Sequence, residues 1–193
     1  MPDPDQHIIE DIRAGNSRRY ALLVDRYKDR AMTLALRLVG AREDAEELVQ
    51  DGFIRAYRSL DQFRGDAKFS TWFYRILYNV CQTNIHRRRE KPELLDVQDE
   101  KSLDKILVDH DEISVHERLE EEETQRILAS EMEQLPDKFK IPVTLFYVQE
   151  MSYEEISAVM NAPLGTVKTN LFRGRNLLRK RVLARLKEEV KVE

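Results

Sequence analysis

The stretch Ser152–Lys187 reads SYEEISAVMNAPLGTVKTNLFRGRNLLRKRVLARLK, and the rest of the fold is read outward from it. Ser152 and Glu155 stand in S-x-x-E spacing, which lets each side chain satisfy an orphan N–H at the start of a helix. Ile156, Val159 and Met160 then share one helical face. Asn161-Ala162-Pro163 breaks that helix, because Asn tolerates a left-handed backbone and Pro suits the first turn of a new helix. A second helical pattern begins at Thr166, with Val167, Leu171, Gly174 and Leu178 on one side. Lys168, Thr169, Asn170, Phe172 and Arg173 fall on or beside the outer face. Two short helices joined by a tight turn, the second presenting polar and basic groups, predict a DNA-reading helix-turn-helix.

Charge supports that reading. Between Gly165 and Lys187 the charged residues are Lys168, Arg173, Arg175, Arg179, Lys180, Arg181, Arg185 and Lys187, all basic. Such a helix is drawn to a phosphate backbone largely without regard to base sequence. The net charge of −4 conceals this, because it is unevenly spread. Residues 1–90 carry +2, residues 91–123 carry −9 and residues 124–193 carry +3. The overall acidity therefore belongs to one central segment.

The 193 residues hold one medium domain or two small ones, and the six Gly and six Pro favour helices over an all-β design. No apolar run approaches the ~20 residues that span a bilayer, so no membrane insertion is expected. The beginning MPDPDQHIIEDIR lacks the basic-then-apolar profile of a signal peptide. The single cysteine, Cys81, excludes an internal disulfide framework, fits a reducing cytoplasm, and reads as a small buried hydrophobe.

Residues 7–60 read as helices. Tyr20, Leu23, Val24, Tyr27, Ala31, Leu34, Ala35 and Leu38 recur at spacings of three and four. After Gly40-Ala41 the pattern resumes in Ala45, Leu48, Val49, Phe53, Ala56, Tyr57 and Leu60, which predicts an antiparallel helix pair. Residues 60–68 read as a loop. A third helix opens near Phe69, capped by Ser70 or a near neighbour, and runs to His86-Arg87-Arg88-Arg89 before Pro92. Its Phe69, Trp72, Phe73, Tyr74 and Tyr78, interleaved with Arg75 and followed by the arginines, fit two uses. Composition favours core packing, but the same pattern suits stacking of unpaired bases beside phosphate-binding charges.

Residues 91–113 are acidic and weakly periodic, and read as a flexible linker. Ser114 and Glu117 repeat the capping spacing and open a helix through Leu119, Arg126, Ile127, Met132 and Leu135, ended by Pro136. An apolar helix within residues 137–150 (Ile141, Val143, Leu145, Phe146, Val148) then cradles the helix-turn-helix. The fold class expected is all-α, with two small helical domains at 1–90 and 114–193 joined by the 91–113 tether.

Three separated motifs resemble the extracytoplasmic-function (ECF, group 4) class of bacterial RNA polymerase sigma factors. The first is Asp44–Tyr57, DAEELVQDGFIRAY, similar to the core-polymerase-binding helix of that family. The second is Phe63-Arg64-Gly65 with Phe69–Ile76 and Asn79, similar to its −10 element reader. The third is Leu135–Lys138 with Ser152–Ile156 and Pro163–Thr169, similar to its −35 reader. They follow the family's order and spacing over nearly the whole chain.

The resemblance implies residue roles. Asp44, Glu47, Gln50 and Asp51 would form the acidic-polar stripe that binds the coiled coil of the polymerase's largest subunit. Phe63 and Asn79 would line a pocket for a flipped −10 base, with Arg64, Lys68, Trp72, Tyr74 and Arg75 supporting unstacked strand, so the resemblance reverses the preference for core packing. Extracting a base from duplex costs a few kcal/mol, and stacking returns ~1–3 kcal/mol per base, so such a site traps opened strand without ATP. Lys168, Thr169, Asn170, Phe172 and Arg173 would address the −35 major groove. Three residues depart from the family pattern. Asn170 stands where Arg is common, Ser157 where Ala is usual, and Asn161 replaces the turn Gly.

The implied partners are core RNA polymerase, promoter DNA (duplex at −35, single-stranded at −10) and an anti-sigma factor, and the implied location is cytoplasmic. Two elements about two duplex turns apart lie roughly 70 Å apart. A flexible coil of residues 91–113 averages ~27 Å and reaches ~80 Å only when fully extended. Core polymerase would hold it extended in this family; a solvated, self-repelling spacer is the other reading of its charge. No catalytic role and no cofactor are expected: His7, His86, His110 and His116 are scattered without metal-ligand spacing. A stand-alone helix-turn-helix regulator is the alternative, but it leaves Phe69–Arg89 and the Gln50-Asp51 stripe unused. A nucleic-acid-processing enzyme ranks last, because its chemistry would need convergent carboxylates and a metal.

Overall fold

The computed structural model describes residues 4–90 and 115–189, which contain helices and 3-10 turns and no strand. The linker 91–113 and the cap expected at Ser114 lie outside the described residues. The first helical group comprises α1 (Gln6–Arg13), α2 (Tyr20–Val39), α3 (Arg42–Arg58) and α4 (Phe69–Glu90). The second comprises α5 (Val115–Glu133), α6 (Asp137–Tyr147), α7 (Tyr153–Met160) and α8 (Leu164–Glu189).

In the first group α2 and α3 pack as the expected pair, and α4 lies across both. Gly40, at φ 82°, ends α2 in a backbone region that costs glycine little. The periodic residues Leu23, Ala31, Leu34, Ala35, Ala45 and Ala56 are fully buried. Rings fill the centre: Phe53 and Phe73 stack at 4.5 Å, and Tyr27 packs against Phe69, Phe73 and Tyr74. Cys81 is buried there too, and burial pushes its thiol up to about 12. Tyr57, which the periodicity assigned to the inward face, is instead 43% exposed at the edge of α3. Lys68 occupies the position before α4, its carbonyl accepting from the Trp72 amide at 3.1 Å, so Ser70 lies within the first turn.

In the second group α6 underlies α7 and α8, and α5 packs along α8. Ile127, Met132 and Leu135 are buried as expected, although α5 ends at Glu133, short of Leu135. The capping box at α7 is present: the Ser152 hydroxyl accepts from the Glu155 amide at 3.2 Å, and Glu155 Oε2 accepts from the Ser152 amide at 2.8 Å. Asn161 adopts the left-handed conformation (φ 48°, ψ 45°), doing the work of a turn glycine. Ser157 donates its hydroxyl to the Ala162 carbonyl at 2.6 Å, tightening the same turn. Helix α8 begins at Leu164, two residues earlier than the pattern from Thr166 suggests. The carbonyl of Pro163 accepts from Thr166 and Val167, and Pro163 has no amide of its own to satisfy.

The two groups touch along α4 with α7 and along α2 with α6, so one apolar core continues through both.

Candidate nucleic-acid interface

Helix α8 turns outward most of the residues expected to address the −35 groove. Val167, Leu171, Gly174 and Leu178 are buried against the second group, which turns Lys168, Thr169, Phe172 and Arg173 outward and leaves Asn170 half-buried. Phe172, 68% exposed, is the most exposed of the large hydrophobic side chains among the described residues. The Thr169 hydroxyl donates to the Gly165 carbonyl at 2.8 Å, one turn back along α8. Further along, Arg175 lies over the Tyr147 ring at 5.8 Å, and Arg181 donates to the Gln134 carbonyl.

The residues expected to meet single strand divide into two sets. Arg64, Lys68, Arg75 and Asn79 are exposed and Trp72 is half-buried. Phe63 and Tyr74 are core side chains, 4% and 1% exposed. Phe63 packs edge-on against Phe69 at 6.0 Å and against Trp72 at 5.2 Å. Asn79 lies ten residues beyond Phe69, or ~15 Å along the helix, in a small recess with Arg55, Ser59, Ile76, Val80 and Thr83. Phe63 does not line that recess. The Tyr74 hydroxyl is buried without a hydrogen-bond partner, and burial raises its pKa despite the nearby Arg30 charge.

The stripe on α3 is present, with Glu47 and Gln50 exposed and Asp44 and Asp51 partly covered. Asp51 receives a two-pronged contact from Arg55, at 3.0 and 2.9 Å, and Asp44 pairs with Arg88 of α4. Beside Gln50 runs an open groove of about 1100 Å³ between α2 and α3, floored by Val24, Val49 and Phe53 and rimmed by Ile54 and Tyr57. Ile54 is 41% exposed. Sequence reasoning named the polar stripe and missed this apolar rim. The signal available was that Ile54 falls off the core periodicity of α3.

Among the contacts that join the two helical groups, one involves Lys68. Glu155, at the start of α7, meets Lys68 at 3.0 Å and accepts from the Thr71 hydroxyl at 3.3 Å. Burial pushes the Glu155 carboxyl up, but the Ser152 amide and the Lys68 ammonium outweigh it and hold the carboxyl below its usual value. No helix among the described residues is long and apolar enough to cross a membrane.

Comparison with known proteins agrees with this geometry. Sigma-70 region 2 matches residues 23–91, covering most of α2 through α4, and Sigma-70, region 4 matches residues 125–178, which include the helix-turn-helix. The ECF RNA polymerase sigma-E factor of Escherichia coli (strain K12) is 36% identical over 186 residues, covering 92% of this chain and 94% of that protein. The RNA polymerase sigma-H factor of Pseudomonas aeruginosa is 33% identical over 190 residues, covering 96% and 97%. Among solved structures, CnrH in complex with the cytosolic domain of CnrY shares the fold at a TM-score of 0.64 and 23% identity, over 94% of this chain and 99% of that one. The sigma factor RpoE in complex with the anti-sigma factor NepR from Bartonella quintana does so at 0.62 and 20%, over 84% and 96%. An all-helical chain with a polar stripe on α3, a basic-aromatic α4 and an outward-facing α8, matched end to end by such relatives, belongs to the extracytoplasmic-function class of the sigma-70 family of RNA polymerase sigma factors.

Proposed function

We propose that this sigma factor divides promoter reading between its two helical groups. Residues 1–90 bind core polymerase and capture melted −10 strand, residues 91–113 form the tether, and residues 114–193 dock on duplex −35 DNA. The observation that carries the reading is the exposed, acid-free face of α8, with Lys168, Thr169, Phe172 and Arg173 outward and its apolar stripe buried. An ordinary solvated helix has no need to hold Phe172 in water among cations, whereas a groove-reading helix uses an apolar group against a thymine methyl and cations against phosphate.

On the first group, Glu47 and Gln50 with the flanking Asp44 and Asp51 meet the polymerase coiled coil, and the apolar rim of Ile54 and Tyr57 extends that surface. Arg64, Lys68, Trp72, Arg75 and Asn79 meet the strand; Phe63 and Tyr74 support them from the core. The protein performs no bond chemistry and acts in the cytoplasm, where its polymerase is. An anti-sigma factor is a fitting further partner, given that similarly folded chains were solved bound to one.

Run-off transcription with purified core polymerase on a promoter library tests the reading. Promoter-specific initiation above core alone is expected, and its absence overturns the proposal. Asn79→Ala is expected to lose discrimination at one −10 position with core binding kept. Equal loss of core affinity would assign Asn79 a structural part instead.

A further inference from the structure

The cations of α8 fall into two sets. Toward the end of the helix, Arg181 donates to the Gln134 carbonyl at 3.0 Å, and Arg185 lies 4.0 Å from the buried Glu131. Both are drawn back against α5. Nearer the start, Lys168, Arg175 and Arg179 are exposed, and no carboxylate pairs with them among the described residues. Their spacing of seven and then four residues puts all three on one line along the helix.

One of the three is held. Arg175 Cζ lies 5.8 Å from the centre of the Tyr147 ring, at the end of α6. That ring is fixed by its neighbours: Phe146 meets it edge-on at 4.9 Å and packs against Tyr153, the first residue of α7, at 5.4 Å. Tyr147 is nevertheless 50% exposed, so core packing does not account for a ring at this position.

The place suits a phosphate rather than a base. Seven residues separate Lys168 from Arg175, a rise of ~10 Å, and the major groove is ~12 Å wide. With the first turns of α8 at the base edges, Arg175 comes to the wall of the groove, where the sugar-phosphate strand runs. A guanidinium there can take phosphate oxygens with two parallel N–H groups. An aromatic face against it steadies the guanidinium plane and leaves the N–H edges free.

We propose that Tyr147 is a positioning residue for −35 binding, its ring presenting Arg175 to a backbone phosphate at the edge of the site, while Arg181 and Arg185 stay with α5. The inference rests on the −35 reading of α8 and extends that surface onto α6.

The test uses holoenzyme assembled from core polymerase and the full chain. It is titrated against a fluorescent duplex that carries the −35 element and stops short of −10, at several salt concentrations. Arg175→Ala is expected to weaken binding evenly across sequences and to lower the slope of log affinity against log salt by about 1. Arg185→Gln is expected to leave that slope at the wild-type value. Tyr147→Leu keeps an apolar side chain without a ring face, and is expected to weaken binding roughly twofold to fivefold. Tyr147→Phe should restore it. In an Arg175→Ala background, Tyr147→Leu is expected to cost nothing more.

A wild-type slope in Arg175→Ala overturns the phosphate contact. An equal fall in Arg185→Gln overturns it too, because the helix would then act as a diffuse field. A Tyr147→Leu loss that persists in full without Arg175 overturns the positioning role. Lys168→Ala separates this inference from the reading under it. If Lys168→Ala and Arg175→Ala both bind as wild type, the −35 reading of α8 fails; if Lys168→Ala alone weakens binding, only the part given to Tyr147 and Arg175 does.

Discussion

The Arg13 guanidinium donates to the Leu60 carbonyl at 2.7 Å and also to that of Phe63, tying the end of α1 to the turn that leads into the loop proposed to meet the −10 strand. The fixed loop carries Arg64 and Lys68. Arg13→Met removes a charged donor from two carbonyls and is expected to destabilise the chain by about 1–3 kcal/mol. It should also broaden −10 base preference while −35 duplex binding stays unchanged. Urea unfolding and promoter-library transcription measure the two effects separately.

At Gly174, α8 packs tightly against α6. A Cβ there would lie 2.9 Å from Val143 Cγ2 and 3.1 Å from Phe139 Cβ. Gly174→Ala gains helix propensity of about 1 kcal/mol but overpacks the seam at a cost of about 1–3 kcal/mol. Net destabilisation of up to about 2 kcal/mol is expected. Adding Val143→Ala should return part of it, a coupling that a double-mutant cycle would register.

On the reading face, charge and ring should fail differently. Lys168→Ala is expected to weaken −35 duplex binding evenly across sequences and to reduce the slope of log affinity against log salt by about 1. Phe172→Ala should leave that slope unchanged and lower discrimination at one base pair, by about 1–3 kcal/mol. Fluorescence titrations at several salt concentrations separate the two. A Phe172→Ala variant that loses affinity equally on every sequence would place the ring against the sugar-phosphate backbone.

The docked contact should depend on pH through Glu155. Its carboxyl is held below the ordinary value of 4.5, with burial opposing and the Ser152 amide and Lys68 favouring the charged form. Only the Lys68 share of that shift depends on docking of the two groups, so the docked contact is fully stabilised above the undocked pKa and weakens as pH falls through the docked one. Energy transfer between dyes on Asp61→Cys and Asn176→Cys, exposed positions in the two groups, should be level near neutrality and fall below about pH 4.5. Glu155→Gln should lack that limb. A wild-type and a variant profile of the same shape would remove Glu155 from the account.

Much of the architecture was legible before any coordinates. Leu23, Ala31 and Leu34, or Val167 and Leu171, are buried where their spacing puts them, because an amphipathic helix has one stable way to face a core. The α7 capping box and the Asn161 turn were readable because caps and turns are decided by neighbours in sequence. Tyr57, Phe63 and Tyr74 were not. Phe63 and Tyr74 belong to a set of rings larger than one face can hold, Tyr57 lies near the end of α3, and only the packing of α4 against α2 and α3 settles which turn inward.

The sequence by itself determined the all-helical class, the helix-turn-helix, the polar stripe of α3 and the cationic face of α8. These rest on periodicity, capping and charge, all of which act within a few residues. Tertiary structure alone decided that Phe63 does not line the recess holding Asn79, that an apolar groove lies beside Gln50, and that Lys68 is engaged by Glu155. Lys68 and Glu155 are far apart in the chain, and no local rule ties an exposed lysine to one carboxylate among many. Their meeting follows from the shapes of two helical groups fitting together, a property of surfaces that form only after the helices have packed.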